Sequence, residues 1–255
     1  CNGLAPITRA CSRREALGLM GSTACSILIS APALAGIEED FLRKGMVNQP
    51  MGVSGQAGKS RPETGVVLRD GSEPTRFSRS GDVLAEIMLK GPSEKEAVYL
   101  VSFSSPWSLA KGSVFDVECR DADTGDSAFL SVSKPVGGKA IADLNTNFFV
   151  NELIAPTGRF SFYGAPTDVK AKNVGLEGNT KIFDLSFSTL AQSTQMEIPR
   201  KARVAVTIPE GSDQAVMLVA SASATRWKKG SETTINETIQ SFQVTPKSAV
   251  KARGK

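Results

Sequence analysis

The stretch Lys181–Leu190, "KIFDLSFSTL", decides the fold class. Phe183, Leu185 and Phe187 alternate with Asp184, Ser186 and Ser188, a period of two that puts one set of side chains on a covered face and the other on a wetter one. Working outward, Val204, Val206 and Ile208 repeat the alternation. "VYLVSFS" (98–104), "GSVFDVEC" (112–119), "SAFLSVSK" (127–134), "RVAVTI" (203–208) and "QAVMLVASAS" (214–223) are further runs rich in β-branched and apolar residues, bounded by Gly, Pro, Asp or Ser. Strands with one wet face belong to a mainly antiparallel sheet.

Two segments break this period. In "DLNTNFFVNELI" (143–154), Leu144, Phe148, Phe149, Glu152 and Leu153 fall at helical spacing, with Asp143 or Asn145 available as N-cap. In "GSETTINETIQSF" (230–242), Ser231 offers a cap, Glu232 suits the positive end of a helix dipole, and Ile235, Ile239 and Phe242 form one apolar stripe. Three strands, a helix, three strands and a helix predict an α+β fold, with helices covering a twisted antiparallel sheet.

Before this body lies a segment of different character. Residues 36–97 are rich in Gly, Pro, Ser and charge, and are expected to form an extended, partly flexible arm in which "GDVLAEIML" (81–89) is either a short strand or one helical turn. Further upstream, Arg13 and Arg14 precede an apolar run, Ala16–Ser30, that ends near Ala33 and Ala35. Fifteen residues diluted by Gly18, Gly21, Ser22, Thr23 and Ser26 fall short of the roughly 20 that a membrane-spanning helix needs. The paired arginines, mild apolarity and small closing residues predict a cleaved targeting segment of twin-arginine type over 1–35. The sequence starts at Cys1 without Met, as expected of a two-part plastid precursor lacking its upstream piece. The tail 247–255 is basic and unpatterned, so fraying is expected there.

Composition narrows the chemistry. The 255 residues carry 30 Lys and Arg against 26 Asp and Glu, a net charge of +4 that is no nucleic-acid signature. With no histidine, the chain cannot build a Ser-His-Asp or Cys-His nucleophile pair and lacks the commonest transition-metal ligand. Of four cysteines, Cys1, Cys11 and Cys25 fall in the targeting segment and Cys119 stands alone in the body, where it reads as a small buried hydrophobe. No phosphate loop or dinucleotide fingerprint occurs. The expectation is a non-catalytic protein.

Two clusters are candidate sites. "RDADTGDS" brings Asp121, Asp123 and Asp126 within six positions, and Ca²⁺ prefers such hard oxygen ligands; Gly125 and Val132 break the EF-hand pattern, so a hairpin turn competes with a calcium site. Arg226, Trp227, Lys228 and Lys229, with Arg200, Lys201 and Arg203 as a second basic patch, are interface candidates, because Trp and Arg recur among interface hot spots. The competing reading has Trp227 anchoring the last helix and the lysines solvated. Trp107, after Pro106, reads as core.

Several strings and their order resemble the PsbP family, the extrinsic lumenal proteins of photosystem II and their paralogues. The match is carried by "TRWKKGSETTINETIQSFQV" (225–244), "SSPWSLAKG" (104–112) and "AFLSVSKPVGGKAIADLNTNFFVNEL" (128–153), within residues 98–246. With "RPETGVVLRDGSEPTRFSRSGDVLAEI" (61–87) ahead of the domain, the chain looks closer to the PsbP-domain proteins of the thylakoid lumen than to the oxygen-evolving subunit itself. The resemblance implies an α-β-α sandwich around a mainly antiparallel sheet of about six strands. It also implies a chloroplast thylakoid-lumen protein, monomeric when free, associating peripherally with photosystem II, its assembly intermediates or a related membrane complex. The alternative is a lumenal carrier of calcium or a small ligand.

Overall fold

The computed structural model describes residues 62–111, 116–161, 164–190 and 196–247. The expected targeting segment with Arg13, Arg14, Ala33 and Ala35, the arm up to residue 61, and the tail from 248 lie outside the described residues. The strands are β1 (Thr75–Arg76), β2 (Asp82–Lys90), β3 (Glu96–Ser104), β4 (Ser108–Leu109), β5 (Glu118–Arg120), β6 (Ser127–Pro135), β7 (Thr167–Glu177), β8 (Thr180–Leu190), β9 (Glu197–Thr207), β10 (Gln214–Ser223) and β11 (Gln243–Pro246). Helix α1 spans Thr146–Leu153; a helical turn at Ala224–Arg226 and a π-turn at Trp227–Ser231 lead into α2, Glu232–Gln240.

The strands form two sheets with antiparallel pairings, one ordered β1-β2-β3-β11 and the other β4-β5-β6-β10-β9-β8-β7. Strand β10, paired on both sides, has no wet face: Ala215 through Ala222 are buried except for no more than 1 % exposure at Ser221. Val216, Leu218, Ala220 and Ala222 join one core with Val83, Ile87, Tyr99 and Phe103 of the smaller sheet and Ile235 and Ile239 of α2. Ala215, Met217 and Val219 point the other way, into a second core with Phe183, Leu185 and Phe187 of β8 and Phe149, Val150 and Leu153 of α1. The alternation of Phe183, Leu185 and Phe187 therefore aims at α1, where Phe149 and Phe183 stack 6.4 Å apart.

The α+β class is as the sequence indicated, but the layers differ. Helix α1 covers one face of the seven-stranded sheet, while the other face is covered by the four-stranded sheet together with α2, not by helix alone. The reason lies in the segment assigned to the arm. In β2, Val83, Ala85, Ile87 and Leu89 alternate inward, and nine residues pair with β3 from Asp82↔Ser104 to Lys90↔Glu96. Residues 81–89 thus supply a strand and not a helical turn, and residues 62–97 are part of the folded body.

Further stitches secure this segment. The Val132 amide donates to the Thr64 carbonyl at 2.7 Å, and the Glu63 amide donates to the Thr157 carbonyl at 2.9 Å. Directly after these two residues Gly65 sits at φ +69°, where an added Cβ would lie 2.5 Å from the Val132 carbonyl oxygen. Gly65→Ala combines left-handed strain with a backbone clash, so it is expected to cost about 1–3 kcal/mol in urea unfolding. An unchanged midpoint would mean that this segment does not pack on β6.

Helix α1 begins as its sequence indicates: the Asn145 side chain accepts from the Asn147 amide at 2.9 Å. At α2 the expectation fails, since Ser231 makes no side-chain cap and its hydroxyl is used elsewhere. Of "GSVFDVEC", only Glu118 and Cys119 are in a described strand; residues 112–115 lie outside the described residues. Strand β7 was not anticipated. It is an almost wholly exposed edge strand, and "TDVKAKNVGLE" lacks the alternation that a buried face imposes.

Candidate functional site

The acidic cluster is a turn whose three carboxylates part company. The Asp121 amide donates to the Asp126 carbonyl and the Gly125 amide to the Asp121 carbonyl, both at 2.9 Å, while Gly125 takes φ +70°. The Asp121 carboxylate stays within the turn, accepting from the Thr124 hydroxyl at 2.6 Å and the Asp123 amide at 3.0 Å, and these bonds, the hydroxyl's first, hold it below the usual carboxylate range. Asp123 is exposed. Asp126, by contrast, is 1 % exposed and turns inward, where its Oδ2 accepts from Arg226 Nε and the Ser231 hydroxyl, both at 2.9 Å. The three carboxylates are therefore not gathered on one point, the third being engaged by Arg226 of the chain itself. Among the described residues no group of three or more Asp, Glu, Cys or His could hold a metal ion.

The basic candidates also divide. Trp227 is 5 % exposed in the core between sheet and helix, with the Lys201 ammonium 5.8 Å from its ring centroid. Arg203 forks onto Asp184 at 2.6 and 2.9 Å and also donates to the Asn236 side chain of α2; the Asp184 carboxylate raises its pKa. Arg226 ties Asp126, and Arg200 Nη2 donates to the Gly125 carbonyl at 3.0 Å and the Ser221 hydroxyl at 3.2 Å. Four of the seven interface candidates thus make contacts within the chain: Trp227 packs in the core, Arg203 links β9 to β8 and α2, Arg200 links β9 to the β5–β6 turn and β10, and Arg226 links the helical turn to the β5–β6 turn. Lys228 and Lys229 are exposed on the π-turn, and Lys201 is partly exposed.

Sequence reading missed a cavity of about 90 Å³ lined by Glu118, Arg120, Arg159, Arg200, Phe129 and Phe160, with Leu190 at its side. Strands β5, β6, β8, β9 and β10 supply its wall, and the segment after α1 brings Arg159 and Phe160. Arg159 Nη2 donates to both Glu118 oxygens, at 3.0 and 3.3 Å, and Glu118 is 4 % exposed. Burial, chiefly, depresses the Arg200 pKa to about 10, and the nearby Arg159 and Arg120 charges add to the depression against Asp126 and Glu118. At neutral pH Arg200 remains a cation. The rings of Phe129 and Phe160 meet edge-on at 5.6 Å, and Phe160 lies 4.5 Å from Phe187. No local motif signals this site, since its three arginines are separated in sequence by about forty residues each.

Trp107 is core, as expected, and Cys119 is fully buried. Burial pushes the Cys119 thiol up to about 11 from an ordinary value of 9.0. Since the folded-state pKa is the higher, its contribution to stability is full below pH 9 and vanishes as pH rises through about 11. A two-unit shift alone cuts the thiolate fraction about a hundredfold. Iodoacetamide at pH 8 should therefore leave the Cys119 peptide at least about a hundredfold slower to alkylate than in urea, read by mass spectrometry. Equal rates would contradict the burial.

No protein-family model and no curated protein matches the chain. Among solved structures it is similar to LpqN, a protein involved in cell envelope biogenesis of Mycobacterium tuberculosis. The identity is 13% and the TM-score 0.36, over 64% of this chain and 92% of that one. A likeness so loose transfers neither fold nor role. Among the described residues no helix is long and apolar enough to cross a membrane.

Proposed function

We propose that the protein is a non-catalytic extrinsic component of the thylakoid lumen, built on a PsbP-like core, that associates peripherally with photosystem II or its assembly intermediates. The observation that supports this reading most is the segment at Thr225–Val244, on which the sequence resemblance chiefly rests. Trp227 is locked in the core, so the turn that carries Lys228 and Lys229 is held in place and presents both ammonium groups to solvent. A fixed pair of exposed cations steers docking onto an acidic surface without needing bond-making chemistry.

Lys228→Glu with Lys229→Glu tests this. Both positions are exposed and away from the core, so unfolding stability should move by less than about 0.5 kcal/mol. Attachment to isolated thylakoids should be lost, and the unchanged protein should itself be released at about 1 M salt, where screening reaches roughly 3 Å. Retention of the doubly reversed protein would remove these lysines from the interface.

The alternative reading is a carrier of a small ligand. Calcium has no gathered ligand set in the acidic turn, whereas the arginine-lined cavity favours a small ligand.

A further inference from the structure

We propose that the open edge of β7 receives an extended acidic segment of a partner protein, which adds to the seven-stranded sheet as a further strand and sets its carboxylates against Lys170 and Lys172. This goes beyond the attachment through Lys228 and Lys229 described above and does not rest on the photosynthetic assignment.

The length of the edge is the first argument. Among the described residues the sheets end in β1, β11, β4 and β7; the first three have two, four and two residues, whereas β7 has eleven. Strand β7 pairs with β8 alone, and the pairing runs unbroken from Lys170 to Asn173 between two irregularities. Alternate residues of an edge strand turn their N–H and C=O groups away from their one neighbour, so β7 offers donors and acceptors that β8 does not use. Val174 and Leu176, each 50% exposed, add apolar surface to the same strand.

Charge then selects the occupant. Lys170 stands opposite Ser186, which stands opposite Lys201, and Lys172 stands opposite Asp184, which stands opposite Arg203. Side chains directly opposite one another share a face of the sheet. Lys170, Lys172 and Lys201 accordingly line one cleft of about 320 Å³, together with Trp227. The carboxylates of that cleft are Asp184 and Glu232. Both Asp184 oxygens accept from Arg203, at 2.6 and 2.9 Å, and Glu232 acts on the same guanidinium. Asp168 and Glu177 lie toward the two ends of β7, so the positive charge is central. Two copies of the chain paired edge to edge about Ala171 would set lysine against lysine, whereas a strand with acidic residues two apart meets both with opposite charge. Exposed ion pairs are individually weak, so the backbone ladder supplies the hold and charge chooses the partner.

The test uses the purified full chain and the peptide acetyl-TVTVTETETE-amide, followed by titration calorimetry and by hydrogen exchange with mass spectrometry. One peptide should bind per protein at submillimolar concentration, and amide exchange should slow across residues 167–177. Replacing the peptide's glutamates by glutamine should weaken binding about fivefold or more. The acidic peptide N-methylated along its backbone keeps its charges but cannot donate to a ladder, and should not bind. Lys170→Glu with Lys172→Glu should weaken the acidic peptide about tenfold or more. Both lysines are exposed, so the fold should persist, with circular dichroism as the check. The proposal is overturned by no binding of the acidic peptide at millimolar concentration, by equal binding of the glutamine or N-methylated peptide, by slowed exchange that spares β7, or by unchanged binding to the folded double variant. Concentration-dependent dimers in sedimentation, lost in that variant, would assign the edge to a second copy of the chain and overturn the acidic partner.

Discussion

Trp227→Ala is expected to lower unfolding stability by about 3–5 kcal/mol, the range for truncating a large buried aromatic side chain. Trp227 is 5 % exposed and belongs to the core shared by the two sheets and α2, so the substitution opens a cavity where the π-turn meets the sheet. It also leaves the Lys201 ammonium without the ring face beneath it. Urea denaturation measures the loss. If Trp227 were instead an interface hot spot, the free protein would keep its stability and only attachment to a partner would suffer. Paired with the Lys228 and Lys229 reversals, the experiment separates the anchor from the surface it carries.

Asp126→Ala is expected to cost about 3 kcal/mol, from one charge-assisted hydrogen bond at roughly 1.5–3 kcal/mol and one hydroxyl bond at about 1. The Asp126 side chain joins the β5–β6 turn to the helical C-terminal segment through Arg226 and Ser231. Its other oxygen, Oδ1, is buried without a hydrogen-bond partner among the described residues, which offsets part of what the two bonds contribute. Arg226 is 42% exposed on its side chain and can turn to water, which keeps the loss from growing further. A double-mutant cycle with Arg226→Ala should return a coupling of about 0.5–3 kcal/mol. Asp121→Ala should cost about 1 kcal/mol for the Asx-type turn it closes, and Asp123→Ala less than about 0.5. A calcium site would give another signature: all three substitutions would abolish a calcium-dependent rise in melting temperature, and without calcium they would be similar.

What could be read from the chain follows how strongly burial stamps a pattern on residues. Phe183, Leu185 and Phe187 sit between a sheet and α1, so their period of two is strict, and Asn145 caps α1 through a local bond that local sequence can show. Strand β7 escapes because both of its faces are wet and no alternation is enforced. The segment from residue 62 to β2 looked like an arm because Gly, Pro and charge dominate it; it is held by backbone bonds to β6 and by a single alternating strand. Candidate functions of charged residues were least legible. Asp126 meets Arg226 a hundred positions away and Arg159 meets Glu118 across forty-one, so sequence cannot distinguish an internal brace from an exposed patch. The arginine-lined cavity exists only once five strands and the segment after α1 converge.

Crosslinking in intact thylakoids, with the peptides identified, tests the proposed role most directly. The account predicts crosslinks from Lys228 or Lys229 to a subunit of photosystem II or of one of its assembly intermediates, lost after a wash with concentrated salt. Recovery of the protein only as a free species, with no crosslink to any photosynthetic membrane complex, would contradict it.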